Sequence, residues 1–224
     1  MSDDANVHPA SHWATGILLL LVATGLFGCL KEKFEPYRGD RRLPKYTEKG
    51  NQVSGALINN VAWKTHFKPF RSGRTEVFSL RNNALGDSLV VELRGEINEG
   101  AGLGKSVTFL FVIRGFQLTR LQDVEKLHET RFPLNGTRIY AILHDPYRVY
   151  SDSTKSRSNA VGALYFKRVR EKTDLSFTRG NGSSYHPFIA SGTFDFTIAH
   201  QGRTIEVKNG RFDFYLTDDN LILD

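Results

Sequence analysis

Short runs rich in Val, Ile, Phe, Tyr and Thr, separated by Asn, Gly and Asp, make up the chain from Val53 onward. The alternation is clearest late in the chain, where Phe194 and Phe196 point to one face and the residues between them to the other. Turn dipeptides such as Asn135-Gly136 lie between the runs, where positive φ is tolerated. The pattern predicts an antiparallel β-domain. The predicted strands are 53–58, 62–67, 75–81, 88–97, 106–114, 138–143, 160–169, 188–199 and 203–216.

Strands with one apolar face must cover that face with other strands. The sequence therefore predicts an all-β fold, as an antiparallel β-sandwich or, alternatively, as a closed or partly open antiparallel barrel. One segment breaks the strand pattern, because apolar residues recur every three positions from Leu118 to Leu127, with polar residues in most of the gaps. This spacing predicts one short amphipathic helix between Leu118 and His128.

An uninterrupted run of mainly apolar residues extends from Trp13 to Phe27. It has the length of a secretory h-region and is shorter than the roughly 20 residues that a spanning helix needs. The run predicts an export signal over residues 1–28. Secretory signals normally begin with positive charge, whereas the residues before this run include Asp3 and Asp4 and no Lys or Arg. The alternative is an uncleaved N-terminal anchor helix.

The run ends in Leu26-Phe27-Gly28-Cys29, which resembles the lipobox of bacterial lipoproteins. The resemblance implies cleavage before Cys29, acylation of its thiol and attachment to the outer membrane, on the periplasmic face or the cell surface. The expected location is the cell envelope, and the first expected partner is the membrane itself. Cys29 is the single cysteine of the chain, so no intramolecular disulfide can form.

Charged residues, prolines and glycines with almost no apolar periodicity follow Cys29 as far as Gln52. This composition predicts a flexible tether. The predicted organisation is a signal peptide over 1–28, a lipidated tether over 29–52 and a single β-domain over 53–224.

The chain carries a formal charge of +6, and removal of residues 1–28 leaves 30 Lys and Arg against 22 Asp and Glu, a charge of +8. A basic balance favours nucleic acid, anionic membranes or acidic ligands. Export argues against nucleic acid, so no nucleic-acid partner is expected. The basic residues are spread along the chain, which indicates solvated strand faces more than one binding patch.

Catalytic and metal-binding motifs are incomplete. Gly104-Lys105-Ser106 ends like a phosphate-binding loop, but Glu99 stands where that motif needs glycine, and a predicted strand follows instead of a helix. The histidines after residue 28 are too scattered for a typical metal site. We therefore expect no catalytic, metal or cofactor-binding residues and no cofactor. These histidines are His66, His128, His144, His186 and His200.

Aromatic residues indicate a function more clearly than the incomplete catalytic and metal-binding motifs do. Trp63, Tyr140, Tyr147, Tyr150 and Tyr185 lie near predicted strand ends or loops, where exposed rings could stack on sugars or pack on a partner. The first four are the candidate ligand contacts.

Three segments near the two ends of the β-domain resemble a family of uncharacterised Bacteroidota lipoproteins. They read GALINNVAW over 55–63, SGTFDF over 191–196 and VKNGRFD over 207–213. In that family a short hairpin with an Asn-containing turn and a Trp follows the tether, and a long hairpin closes the chain. The resemblance implies a lipid-anchored all-β domain of the cell envelope with no assigned catalytic residues.

The leading functional prediction is a lipid-anchored, non-catalytic binding or assembly module for a protein, glycan or lipid ligand of the envelope. One alternative is an envelope hydrolase acting on a glycan or ester, and another is a structural accessory subunit of an outer-membrane complex. A pocket with two carboxylates about 5 to 10 Å apart would favour glycosidase chemistry. A flat aromatic patch would favour binding.

Overall fold

The computed structural model describes residues 33–65, 77–97, 105–145, 148–149, 160–200 and 203–223, which all belong to one compact unit, Glu32–Asp224. The predicted signal peptide and Cys29 lie outside the described residues. The all-β prediction is confirmed. The strands are β1 Val53–Ile58, β2 Val61–Lys64, β3 Phe78–Asn82, β4 Ser88–Ile97, β5 Lys105–Arg114, β6 Thr130–Leu134, β7 Ile139–Asp145, β8 Arg148–Val149, β9 Val161–Glu171, β10 Phe177–Thr178, β11 Ser184–Tyr185, β12 Phe188–His200, β13 Arg203–Leu216 and β14 Leu221–Ile222.

Twelve of these strands form one continuous sheet. Its order is β6-β9-β12-β13-β1-β2-β4-β5-β7-β8, with β3 paired to β4 and β14 paired to β3, while β10 and β11 form a separate hairpin. Among the described strands, the β3–β14 pair is parallel and the other pairs are antiparallel. The single curled, open sheet corresponds more closely to the partly open barrel than to two stacked sheets.

The curl of the sheet places its inner face around an aromatic core. Phe109 and Phe111 of β5 pack against Phe194 and Phe196 of β12, although four strands separate β5 from β12 in the sheet order. The ring centroids of these cross pairs lie 5.2 to 5.9 Å apart. All four rings are at most 3% exposed. Edge-on and tilted ring pairs at such distances stabilise a core beyond the area they bury.

A short turn connects the two ends of the sheet order. β6 lies at one end, and four residues lead from it to β7, which lies next to the other end. The backbone N–H of Asn135 donates to the carbonyl of Ile139 at 3.0 Å. The side-chain oxygen of Asn135 accepts from the backbone N–H groups of Thr137 and Arg138. Asn suits this position because its side chain can bond to backbone groups two residues ahead.

The predicted helix is present as a 3-10 helix over Leu121–Leu127. Leu118, Leu121, Val124 and Leu127 are all buried and join the core. A 3-10 helix has 3.0 residues per turn, so residues three apart lie on one face. The strict spacing of three along the sequence thus fits this helix type better than an α-helix.

Residues 33–52, which we call the N-terminal strap, are packed on the domain. Pro36 and Pro44 form an isolated bridge, and Leu43 is completely buried. Pro44 lies so close to Gly55 of β1 that a side-chain carbon at position 55 would come within 2.4 Å of it. The prediction of a flexible tether over 29–52 is therefore wrong for the described residues 33–52. Their prolines and glycines serve turns of an ordered segment.

A buried carboxylate holds the C-terminal part of the strap. Asp213 of β13 is 1% exposed, and it accepts hydrogen bonds from the backbone N–H groups of Lys49, Gly50 and Asn51 at 3.2, 2.7 and 3.1 Å. The hydroxyl of Thr47 donates to the same carboxylate. Because the N–H groups of Gly50 and Asn51 would otherwise be buried without partners, Asp213 fixes the strap to the sheet.

Candidate functional site

A groove of about 440 Å³ lies on the outer face of the sheet, where β3, β4, β5 and β7 run side by side. On the inner side of these strands Leu80, Val91 and Leu93 are fully buried in the core. Side chains alternate between the two faces of a strand, so the residues next to these leucines and valines face outward. The groove is therefore built from the outward positions of strands whose inward positions the core holds rigidly.

One row of the groove crosses three strands. Ser79 of β3 is the register partner of Glu92 of β4, which in turn pairs with Leu110 of β5. Ser79 and Glu92 are 6% and 9% exposed, so both polar groups lie at the floor of the groove. Arg81 follows two positions after Ser79, and its partner across the parallel pair is Ile222 of β14. Ile222 and Leu110 supply the apolar part of the lining.

A second row carries three polar side chains. Arg94 of β4 pairs with Thr108 of β5, and Thr108 pairs with His144 of β7. Neighbouring strands lie about 4.8 Å apart, so the three residues span about 10 Å across the sheet. Thr108 is half-buried and His144 is exposed. A guanidinium, a hydroxyl and an imidazole therefore line one side of the groove.

The charges of the groove are concentrated on Glu92. The Nε of Arg94 donates to Oε1 of Glu92 at 2.5 Å, and the Nε of Arg81 lies 3.9 Å from Oε2. The side chain of Glu92 is 12% exposed, whereas those of Arg81 and Arg94 are 38% and 44% exposed. A buried carboxylate is tolerated when it is paired in this way. The two guanidinium groups thus stand between Glu92 and solvent.

The lining suits ligand binding more than the chemistry of glycoside hydrolysis. Among the described residues that line the groove, Glu92 is the single carboxylate. The usual mechanisms of glycoside hydrolysis use two carboxyl groups that flank the bond to be broken. No group of three or more His, Cys, Asp or Glu within the described part of the chain is arranged to hold a metal ion.

Trp63 was a sequence candidate for ligand contact, and the structure places it in the core. Its side chain is completely buried, and its Nε1 donates to the backbone carbonyl of Val107 at 2.9 Å. Its ring packs edge-on against Phe109, with centroids 4.6 Å apart. Trp63 is therefore not exposed to a ligand. Its position near a strand end predicted a surface ring, but the side chain packs into the core.

The other candidate aromatics do not converge on the groove. Tyr140 is half-buried, with the guanidinium of Arg114 at 5.8 Å from its ring, and it does not line the groove. Tyr185 is also half-buried, and the guanidinium of Arg179 lies 4.7 Å from its ring. The two further candidates and the lipid-attachment candidate lie outside the described side chains; these are Tyr147, Tyr150 and Cys29.

Sequence reasoning missed the charged residues of the groove, Arg81, Glu92 and Arg94. Basic residues spread along the chain indicate solvated strand faces, and nothing along the chain shows that β3 and β4 bring these three residues together. One local signal exists, because Glu92 and Arg94 stand two apart on a strand with buried apolar neighbours. His144 is exposed and borders the groove.

A third buried carboxylate, after Asp213 and Glu92, serves the 3-10 helix and does not line the groove. Asp123 is 6% exposed and accepts hydrogen bonds from the side chain and backbone of Thr119. The Nζ of Lys126 lies 2.9 Å from its other oxygen. Hydrogen bonding from Thr119 and then from Lys126 holds the pKa of Asp123 far below its usual range. Asp123 is therefore a capping residue.

No protein-family model matches the chain, and comparisons with curated proteins and with solved structures also produced no significant match. None of the described residues belongs to a helix with the length and apolarity required to cross a bilayer.

Proposed function

We propose that the chain is a lipid-anchored binding module of the bacterial cell envelope that holds a small polar ligand in the groove without transforming it. The observation that carries this proposal is the groove itself, in which Glu92 and Arg94 form a close pair on a sheet face backed by the core. Its volume of about 440 Å³ lies within the range of small-molecule sites, about 300 to 1,000 Å³.

Rigidity supports binding as the function. Each strand under the groove packs its inward residues into the aromatic and aliphatic core, so the outward side chains start from backbone positions that are already ordered. A ligand that meets ordered donors and acceptors incurs less entropic cost on binding. Ser79, Thr108 and His144 add groups that hydrogen-bond to hydroxyls, which suits a polar ligand.

The lipid anchor is a separate part of the proposal and rests on the residues from Trp13 to Cys29. Substitution Cys29→Ala should eliminate incorporation of labelled fatty acid and release the protein from membranes. Arg170→Gln, a substitution in the β-domain, should leave both unchanged. Persistent labelling of the Cys29→Ala protein would refute the lipobox interpretation.

Binding in the groove is tested with the full chain in a non-ionic detergent. Ligand-observed NMR is recorded against a panel of mono- and disaccharides, sugar acids, sugar phosphates and amino acids. Thr108→Trp fills the groove, and Thr197→Trp places the same side chain at a half-buried threonine of β12. We expect at least one compound to bind the unchanged protein and the Thr197→Trp control but not Thr108→Trp.

Three other outcomes would indicate a different binding site or a different function. A compound that still binds Thr108→Trp shows that the site lies elsewhere. Turnover of envelope polysaccharides or model esters that is lost in Glu92→Gln would identify a hydrolase. Capture of an equimolar envelope protein by the membrane-anchored chain, unchanged in Thr108→Trp, would identify a structural accessory subunit.

A further inference from the structure

The charge balance of the groove is positive. Two guanidinium groups, from Arg81 and Arg94, face one carboxylate, from Glu92, and His144 lies two strands away from Arg94 in the same cross-strand row. The cationic side chains are more than three times as exposed as the carboxylate between them. A ligand that enters from solvent therefore meets guanidinium groups first.

Glu92 fixes Arg94 by a hydrogen bond and attracts Arg81 electrostatically. Both approach the carboxylate through Nε, at 2.5 Å for Arg94 and 3.9 Å for Arg81. A guanidinium carries five N–H donors, and the terminal Nη groups are the ones that bind carboxylate or phosphate in a two-pronged manner. Contact through Nε leaves those groups for a ligand. It also restricts two long side chains that would otherwise lose entropy when the ligand binds.

The remaining lining indicates what else the ligand carries. Thr108, Ser79 and His144 are partners for hydroxyl groups, and Leu110 and Ile222 form an apolar wall. Ile222 is 42% exposed, which leaves part of its side chain to pack on a ring or chain. A small polyhydroxylated molecule with one anionic group has this combination of features.

We infer that the groove binds a small anionic ligand, one whose carboxylate or phosphate group sits between Arg81 and Arg94, while Glu92 acts as the positioning residue that holds the two guanidinium groups. This inference rests on the proposed binding function and specifies its ligand class.

The test uses three ligands with the same pyranose ring, namely glucose, glucuronate and glucose 6-phosphate, with inorganic phosphate as a fourth. Isothermal titration calorimetry measures the affinity of the full chain for each ligand, in a non-ionic detergent at low salt. We expect glucuronate or glucose 6-phosphate to bind at least 10-fold more tightly than glucose, a difference of about 1.4 kcal/mol. A comparison of the two acids, and of glucose 6-phosphate with phosphate alone, identifies the anionic group and the contribution of the ring.

The variants are Arg81→Gln, Arg94→Gln and Arg94→Lys, with Arg170→Gln as a matched removal of one positive charge from β9. Each glutamine variant in the groove should weaken binding of the anionic ligand at least 10-fold. Arg94→Lys, which keeps the charge but loses the planar fork, should lose affinity to an intermediate degree. Arg170→Gln should bind as the unchanged protein does. Circular dichroism melts identify any variant that does not fold. If a glutamine variant does not fold, the affinity of Arg94→Lys decides whether the guanidinium group is needed for binding.

Four results would overturn the inference. Equal affinity for glucose and its acidic derivatives refutes anion recognition but leaves the groove as a binding site. Anion affinity that survives the double change Arg81→Gln and Arg94→Gln places the anion outside the groove. Failure of all four ligands, when the wider panel yields only compounds without an anionic group that Thr108→Trp excludes, refutes the anionic class alone. Failure of all four and of the panel refutes the binding function as well.

Discussion

The carboxylate of Asp213 accepts a hydrogen bond of 2.7 Å from the backbone N–H of Gly50, a residue 163 positions earlier in the chain. The same carboxylate also bonds to the N–H groups of Lys49 and Asn51. One buried side chain of β13 thus determines the position of the N-terminal strap.

Substitution Asp213→Ala should lower the free energy of unfolding by about 3 kcal/mol, because it leaves several backbone donors without partners at a buried site. Urea denaturation of the full chain measures this loss. Limited proteolysis should also become faster within residues 33–52.

Asp213→Asn is the matched control, since it keeps one oxygen acceptor in nearly the same volume. Its loss of stability should be smaller than that of Asp213→Ala. A loss of less than about 0.5 kcal/mol for Asp213→Ala would mean that the strap is held by other contacts.

Gly210→Ala should destabilise the domain by about 2 kcal/mol through overpacking. A side-chain carbon at position 210 would lie 2.1 Å from the carbonyl oxygen of Phe194 and 2.4 Å from its ring. Either the β12–β13 ladder or the Phe194 ring must then move. Gly180→Ala, at a position with open space around it, should change the free energy of unfolding by less than about 0.5 kcal/mol. Similar effects of the two substitutions in urea denaturation would contradict this prediction.

Trp63→Ala should cost about 3 to 5 kcal/mol, the range for removal of a large buried aromatic side chain. It deletes the ring that packs on Phe109 and the donor to the Val107 carbonyl. Tyr140→Ala removes a half-buried ring and should cost less than half as much, which chemical denaturation can measure. If the two costs were equal, Trp63 would not have the central role in the core that its burial indicates.

Asp123 should make stability depend on pH in the acidic range. Its pKa is lowered in the folded protein, mainly by hydrogen bonding from Thr119, whereas the ordinary value is 3.8. The unfolded chain therefore takes up the proton at a higher pH than the folded protein does. The stabilisation is present above the ordinary pKa and is lost as the pH falls below it toward the lowered value.

Thermal melts of the unchanged protein and Asp123→Asn at pH 6, 4 and 3 test this sign. The variant should melt at a lower temperature at pH 6, and the difference should shrink toward pH 3. A difference that stays constant over this range would show that the charge of Asp123 is not the cause.

Long, alternating strands were predictable from the sequence. The predicted ranges 88–97 and 203–216 match β4 and β13, in which apolar residues alternate along most of the strand, and the range 53–58 matches β1, which is buried over its whole length. β6 was missed. It has five residues, follows the 3-10 helix closely and contains Pro133, which is tolerated because β6 is an edge strand of the sheet.

The strap and the groove were not predictable, because both depend on residues that only the fold brings together. The sequence of the strap is typical of a flexible segment, and the contact with Asp213 that holds it is visible only in the structure. Glu92 and His144 belong to one groove because β5 lies between β4 and β7 in register. No local sequence pattern specifies the order of those strands in the sheet.

The pairing of Val53 with Asp213 also dictates a sequence of events during biosynthesis. β1 is the first strand of the domain to emerge from the ribosome, and its partner β13 is nearly the last. One edge of β1 therefore stays unpaired until β13 has been synthesised. Because such distant pairings require closure of a very long loop, the domain should fold slowly for its size.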